Sequence, residues 1–346
     1  MDVPKRGMTF DQAARYRLAA RLLAAAAGPE PRVLDVGSRE GFLREFLPGT
    51  RVCRLDRDGF GGPDFVRGDG CRLPFRDRAF TAAIALDVLE HLPAERRGPF
   101  LTELARVADR AVLLSAPFAG GEVEKAEALA NEFYLLLNGE ENPFLVEHLS
   151  LGLPDLEETR RAFPGSEWRS AVYPTVPLDA WLAMMGINFF LATLPNSWGM
   201  ISALNELCRD RFPPPGGETA SYGRLICWVR GGEGELPAAP QGASGFDAAL
   251  FREALAVIER GIEAYSRDYR ELEERHRADL EKFQALLESA QAELASAREE
   301  HRREVKMLTG LLDERAADIR VLKEALAARP LEKLRRRLGL DRPRQE

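Results

Sequence analysis

The first 230 residues of this 346-residue chain predict an α/β fold, a parallel sheet with helices on both faces, and the rest predicts a long α-helical coiled coil. Short apolar and β-branched runs recur between residues 32 and 115, with helical segments between them. Strands alternating with helices at this spacing need crossover connections, which are right-handed and set neighbouring strands parallel. From Phe246 to Ala328 prolines vanish and apolar residues recur at steps of three and four.

Leu18–Ala27 is alanine-rich and follows Lys5 and Arg6, as in a signal peptide. Arg15, Arg17 and Arg21 break up that pattern, and the segment runs straight into a strand. It reads as a first helix, and the protein as cytoplasmic. Arg32–Val36 is a strand, Glu40–Leu47 a helix, and Val52–Leu55 and Phe65–Arg67 are strands. Ala82–Leu86, a helix from Ala94 to Val107, and Ala111–Ser115 continue the series. Trp168–Tyr173 and Tyr222–Arg230 bring the strands to seven.

Two excursions, 117–153 and 174–219, are too long for plain connections and read as lids or substrate loops. Within the second, Leu178–Leu194 is strongly apolar, but with Asp179 and Asn188 inside it is short for a membrane span. A packed lid helix is the plain reading, and contact with a lipid carrier the alternative. Residues 231–245, rich in Gly, Pro and Ala, read as a linker.

The apolar stripe of residues 246–329 steps through Phe251, Leu255, Ile258, Ile262, Tyr265, Tyr269 and Leu272. It continues at Leu280 and Phe283 and resumes at Val305, Leu308 and Leu312, with stutters near His276 and His301. Roughly 80 helical residues at 1.5 Å each would make a rod about 120 Å long. A coiled coil implies a homo-oligomer or a partner protein. In the tail, 330–346, leucines alternate with Lys333, Arg335, Arg336 and Arg337. Such a basic amphipathic helix can lie peripherally on the inner face of a membrane, or simply complement a helix dipole.

A net charge of -7 argues against a general nucleic-acid binder, which wants a basic face. Cys53, Cys71, Cys208 and Cys227 stand far apart, as suits a reducing compartment. No compact cluster of histidines and carboxylates stands out, so no metal site is expected.

The run from Val33 to Phe42 holds an apolar strand, a turn with Gly37 and Gly41, and a helix start. Glycine lets the backbone approach a ligand, and a helix N-terminus offers free N–H groups. Dinucleotide enzymes use a similar turn, so it does not identify a ligand alone. Asp56 ends the second strand, about twenty residues after Asp35, where a carboxylate can accept both hydroxyls of a ribose. Gly68, Asp69 and Gly70 end the third strand, ahead of Leu73, Pro74 and Phe75. Asp87 closes the fourth, followed by Val88, Leu89, Glu90, His91 and Leu92.

Together, over Arg32–Ser115, these motifs resemble the class I S-adenosylmethionine-dependent methyltransferases, in the group with the signature "LDVGxxxG … GDxxxLPF … DVLEHL". The resemblance implies a Rossmann-like seven-stranded methyltransferase sheet with helical lid insertions in residues 1–230, and S-adenosylmethionine as cofactor. It implies that Asp35, Gly37 and Gly41 surround the methionine part of the cofactor. Asp56 matches the ribose-binding acid, and Asp69 the partner of the adenine amino group, with Gly70 beside it. Asp87 falls near the sulfonium and His91 at the mouth of the substrate pocket. Arg39 departs from the pattern, since many members carry a middle glycine there.

A hydroxyl acceptor needs a general base, whereas a carboxylate or phosphate acceptor needs none. His148, in the first excursion, is the candidate base. Residues 131–154 resemble the insertion of methyltransferases encoded with polysaccharide-assembly machinery, which implies a saccharide or lipid-linked glycan acceptor. A small-molecule or lipid acceptor is the alternative. So is a coiled-coil scaffold with a non-catalytic cofactor domain, although Asp35, Asp56, Asp69 and Asp87 are all in place.

Overall fold

Strands rich in branched and apolar residues bury both faces when helices cover them from either side, and the first seven-tenths of the chain builds that arrangement. The computed structural model describes residues 7–28, 30–58, 62–194, 197–209, 220–231, 248–294 and 302–326, with the single positions 236, 238 and 337. The chain divides into two units, Met1–Val257 and Ile258–Glu346. In the first, α1 (Phe10–Ala27) precedes β1 (Arg32–Val36), α2 (Leu43–Phe46), β2 (Arg51–Asp56), β3 (Phe65–Arg67) and β4 (Phe80–Leu86). Next come α3 (Ala94–Val107), β5 (Ala108–Pro117), α4 (Glu122–Asn138), α5 (Pro143–Leu151) and α6 (Leu156–Ala162). The unit closes with β6 (Trp168–Pro174), α7 (Leu178–Ala192), α8 (Trp198–Cys208) and β7 (Gly223–Arg230).

The sheet has seven strands in the order β3-β2-β1-β4-β5-β7-β6. The expectation of a parallel sheet holds from β3 to β5 and fails at β7, which runs antiparallel to both β5 and β6. The reason lies in the second excursion, which leaves from Pro174 and returns at Gly223, opposite Pro117 at the end of β5. The chain re-enters at the edge where it left and must run back. Successive side chains of a strand face opposite ways. Leu34, Val36, Ala83, Ala85, Val112 and Leu114 therefore pack with Phe100, Leu101 and Leu104 of α3 on one face. Val33, Ile84, Leu86, Leu113 and Cys227 meet Leu18, Leu22 and Leu23 of α1 on the other.

Two helix starts differ from expectation. The helix α1 begins at Phe10, ahead of the alanine run, because the Thr9 N–H is capped by Gln12 Oε1 at 3.0 Å. The helix expected over Glu40–Leu47 shrinks to Leu43–Phe46, because Gly41 takes φ 76°, a left-handed conformation outside a helix. Among the described residues both excursions are largely helical. Most of Leu178–Leu194 forms α7, which buries Trp181, Met184, Phe189 and Leu191 and sets Phe189 edge-on against Tyr134 of α4 at 4.9 Å. Among the described residues no helix is long and apolar enough to cross a membrane.

The second unit contains most of α9 (Ala248–Leu294) and all of α10 (Arg302–Leu326). The apolar stripe is visible in its burial: Ile258, Ile262, Leu280 and Phe283 are half-buried, while Arg260, Glu281 and Lys282 are exposed. A single rod of about 120 Å is not what forms. The 47 residues of α9 span about 70 Å at the usual rise, and Arg315 Nη1 of α10 lies 3.3 Å from His276 Nε2 of α9. His301, nearly all of the linker 231–245 and all but one position of the tail 330–346 lie outside the described residues.

Candidate active site

The carboxyl ends of β1, β2, β3 and β4 converge on a cavity of about 380 Å³, lined by Gly37, Asp56, Asp69, Gly70, Asp87 and His91 among others. This is where open α/β sheets place ligands. Gly37 takes φ 79° and donates its N–H to Leu55 O at 2.8 Å, and a Cβ there would sit 2.3 Å from Val88 Cγ2. At Gly70 a Cβ would meet Phe100 at 2.6 Å. Asp56 Oδ1 accepts the Asp58 N–H at 2.9 Å, which holds the carboxylate at the wall. Asp69 accepts the Cys71 N–H at 3.0 Å and pairs with Arg96. The Cys71 N–H first, and Arg96 with it, hold the Asp69 carboxyl below its ordinary value.

Asp35 and His148 are buried and, like Gly41, are not among the residues that line the cavity. Asp35 is 2% exposed, and neither its Oδ2 nor Ser38 Oγ closes a hydrogen bond within the chain. Burial pushes its carboxyl up to about 7, against the pull of the Ser38 hydroxyl and of Arg54 and Arg44. An unfolded aspartic acid loses its proton near pH ~4. Between pH ~4 and pH 7 the folded chain keeps a proton that the unfolded chain has lost, so stability falls as pH rises through that window. Asp35→Asn has no proton to lose. In the cofactor-free protein it is expected to be the more stable form at pH 8, by on the order of a few kcal/mol, with the gain vanishing near pH 4. Thermal unfolding at the two pH values tests this, and an equal difference at both would refute the buried-carboxyl account.

At the other end of the cavity the lid completes a dense polar cluster. Asp87 takes φ 56°, a left-handed conformation uncommon for a non-glycine residue, and donates its N–H to Ser115 O at 2.8 Å. Its carboxylate pairs with Arg15, which reaches from α1 and also holds Asp11 Oδ2 at 2.9 Å. Burial opposes the Arg15 charge, but Asp87 and Asp11 outweigh it and raise the guanidinium above its ordinary value. Burial, with Arg15 in opposition, pushes the Asp87 carboxyl up. Glu90 is 1% exposed, its Oε2 has no partner, and burial followed by Asp87 pushes its carboxyl well up.

The helix α5 packs on the short turn Leu89–His91. It brings His148 to His91 with ring centroids 4.8 Å apart. His91 Nδ1 meets Glu147 Oε2 at 2.9 Å, and His148 Nδ1 meets Glu127 Oε1 at 2.9 Å. Glu127 Oε1 also accepts from the Tyr222 hydroxyl at 2.8 Å, and Trp181 of α7 stacks on Tyr222 at 3.7 Å. The sequence reading expected no compact histidine and carboxylate cluster, yet the fold assembles one. Its members come from the turn after β4, two lid helices and the residue just ahead of β7, and of them Asp87, His91 and His148 stood out in sequence. Arg15 was hidden in the alanine-rich helix, and Glu90, Glu127 and Tyr222 lay in ordinary amphipathic contexts.

Residues 34–114 match the methyltransferase domain family. That match supports S-adenosylmethionine as the cofactor. Similar solved structures include the magnesium protoporphyrin IX methyltransferase of Synechocystis PCC 6803 with bound SAH, at 16% identity over 64% of this chain and 84% of that one, TM-score 0.39. A SAM-dependent methyltransferase from Archaeoglobus fulgidus aligns at 15% identity over 63% of this chain and 92% of that one, TM-score 0.38. No curated protein matches the chain.

Proposed function

We propose that the chain methylates a hydroxyl oxygen, with a saccharide or glycan intermediate as the acceptor class. The observation that carries this reading is the continuity of one cavity, from Gly37, Asp56 and Asp69 at one end to Asp87, His91 and Glu147 at the other. The first end suits the cofactor: its carboxylates match the hydroxyls of a ribose and an amino group, and the buried oxygens of Asp35 and Ser38 lack partners in the chain. S-adenosylmethionine, when bound, supplies a methyl group already activated on a sulfonium. The protein's task is then to align the acceptor and dispose of its proton.

At the second end His91 lines the cavity, and the buried His148 is held by Glu127, which in turn accepts from the Tyr222 hydroxyl. The acceptor hydroxyl loses its proton beside this imidazole pair. The open wall there carries Glu147 and Phe144, a carboxylate beside an aromatic ring, a combination that suits a polyhydroxylated ring. The resemblance of residues 131–154 to glycan-associated insertions supports the same acceptor class.

Calorimetry with S-adenosylmethionine tests the donor half. The parent is expected to bind, and Asp56→Ala to bind about 10–100-fold more weakly through loss of charge-assisted hydrogen bonds. A parent with no measurable binding would refute the enzyme reading. Labelled methyl groups offered with hydroxyl and amine acceptors test the other half, and transfer only to amines would remove the proposed acceptor class.

A further inference from the structure

One donor atom from each of Glu90, His91 and His148 lies within 4.8 Å of the other two. Two of the three are deeply buried, and both present an atom without a partner, Glu90 Oε2 and His148 Nε2. Orphaned buried polar atoms are uncommon, and each costs free energy unless something occupies the space between them.

The surroundings of the two histidines add an independent sign. Each ring spends Nδ1 on a carboxylate, His148 on Glu127 and His91 on Glu147, both at 2.9 Å. A carboxylate that takes the Nδ1 proton fixes the tautomer and leaves the Nε2 lone pair free, the usual support behind a metal-ligating imidazole. Here that support occurs twice, on rings whose centroids are 4.8 Å apart. Charge agrees as well. Asp87, Glu90, Glu127 and Glu147 surround the pair, and Arg15 is bound to Asp87.

We propose that Glu90, His91 and His148 form a binding site for a single divalent transition cation of the Zn²⁺ or Mn²⁺ kind, supported by Glu127 and Glu147. Two imidazole nitrogens and a carboxylate oxygen suit such ions, whereas Mg²⁺ and Ca²⁺ prefer all-oxygen sites. Three protein ligands leave a position open, as in catalytic rather than structural sites. An acceptor hydroxyl in that position would have its pKa lowered and would release its proton to solvent water, so no oxidant or further reactant enters. On this account His148 holds the ion instead of taking the proton itself. The role in the reaction rests on the methyltransferase reading, whereas binding of the ion does not.

The full chain, stripped with a chelator and titrated with Co²⁺ as a spectroscopic stand-in, tests the site. Uptake of one Co²⁺ per chain is expected, with visible bands of nitrogen ligation that Zn²⁺ abolishes. Glu127→Gln, which removes only a support, should weaken uptake about 10–100-fold. His91→Asn, at a partly exposed ligand, should weaken it at least as much and serves if Glu90→Gln does not fold. No uptake by the parent, or uptake undiminished in His91→Asn, overturns the proposal. Calorimetry with S-adenosylmethionine on the same samples separates the two readings. Intact cofactor binding without Co²⁺ uptake would remove the metal site and leave the methyltransferase.

Discussion

Replacing Arg15 by methionine is expected to destabilise the first unit by about 3–5 kcal/mol at neutral pH, the range for breaking a buried ion pair. Arg15 is 5% exposed and is held between Asp11 and Asp87. Methionine keeps much of the volume and removes the charge, so the loss is electrostatic and not a cavity effect. The Asp87 carboxylate, half-buried in the cavity wall, is left without its counter-charge beside the buried Glu90. Denaturant unfolding of Arg15→Met, Asp87→Asn and the double variant gives the coupling directly. The double variant should recover part of the loss, because Asp11 is then the one partner of Arg15 left without its counter-charge. A loss below about 1 kcal/mol in the single variant would place the pair with exposed salt bridges and contradict its burial.

Gly37→Ala is expected to weaken S-adenosylmethionine binding about a hundredfold, close to 3 kcal/mol. Two penalties combine at this position. A left-handed conformation at φ 79° is unfavourable by roughly 1–2 kcal/mol for a residue with a Cβ. The new Cβ would also stand 2.3 Å from Val88 Cγ2, and Val88 itself lines the cavity. Relief must come from movement of the turn or of Val88, and either changes the cavity wall. Adding Val88→Ala should restore the part due to the clash and leave the conformational part. An alanine variant that binds as tightly as the parent in calorimetry would show that the turn does not shape the cofactor end.

The strands were legible because branched, apolar runs bounded by turn residues leave few alternatives, and β1, β3 and α3 fall where the pattern puts them. The direction of β7 was not, because strand orientation depends on where a distant excursion re-enters and not on local composition. The same distinction runs through the site. Asp56, Asp69, Gly70, Asp87 and His91 follow strand ends, so topology alone carries them to one cavity. Asp35 lies next to the end of β1 but is buried away from the cavity, a difference of side-chain direction that spacing does not encode. Arg15, Glu127 and Tyr222 come from points between 95 and 207 residues apart in the chain. Nothing local marks them as partners of Asp87 or His148.

The antiparallel strand β7 has a consequence for the order in which the domain can be made. It is the last strand in sequence, yet it lies inside the sheet, and β6 has no other strand beside it among the described residues. Until Gly223–Arg230 has been synthesised, β6 has nothing to pair with and β5 presents an open edge. Pairings of this range, such as Ala111 with Val229, close slowly because a long loop must be gathered first. Tyr222, the residue just ahead of that strand, then arrives to bond Glu127 behind His148. On the ribosome, the acceptor end of the cavity is therefore assembled by the same late event that seals the sheet.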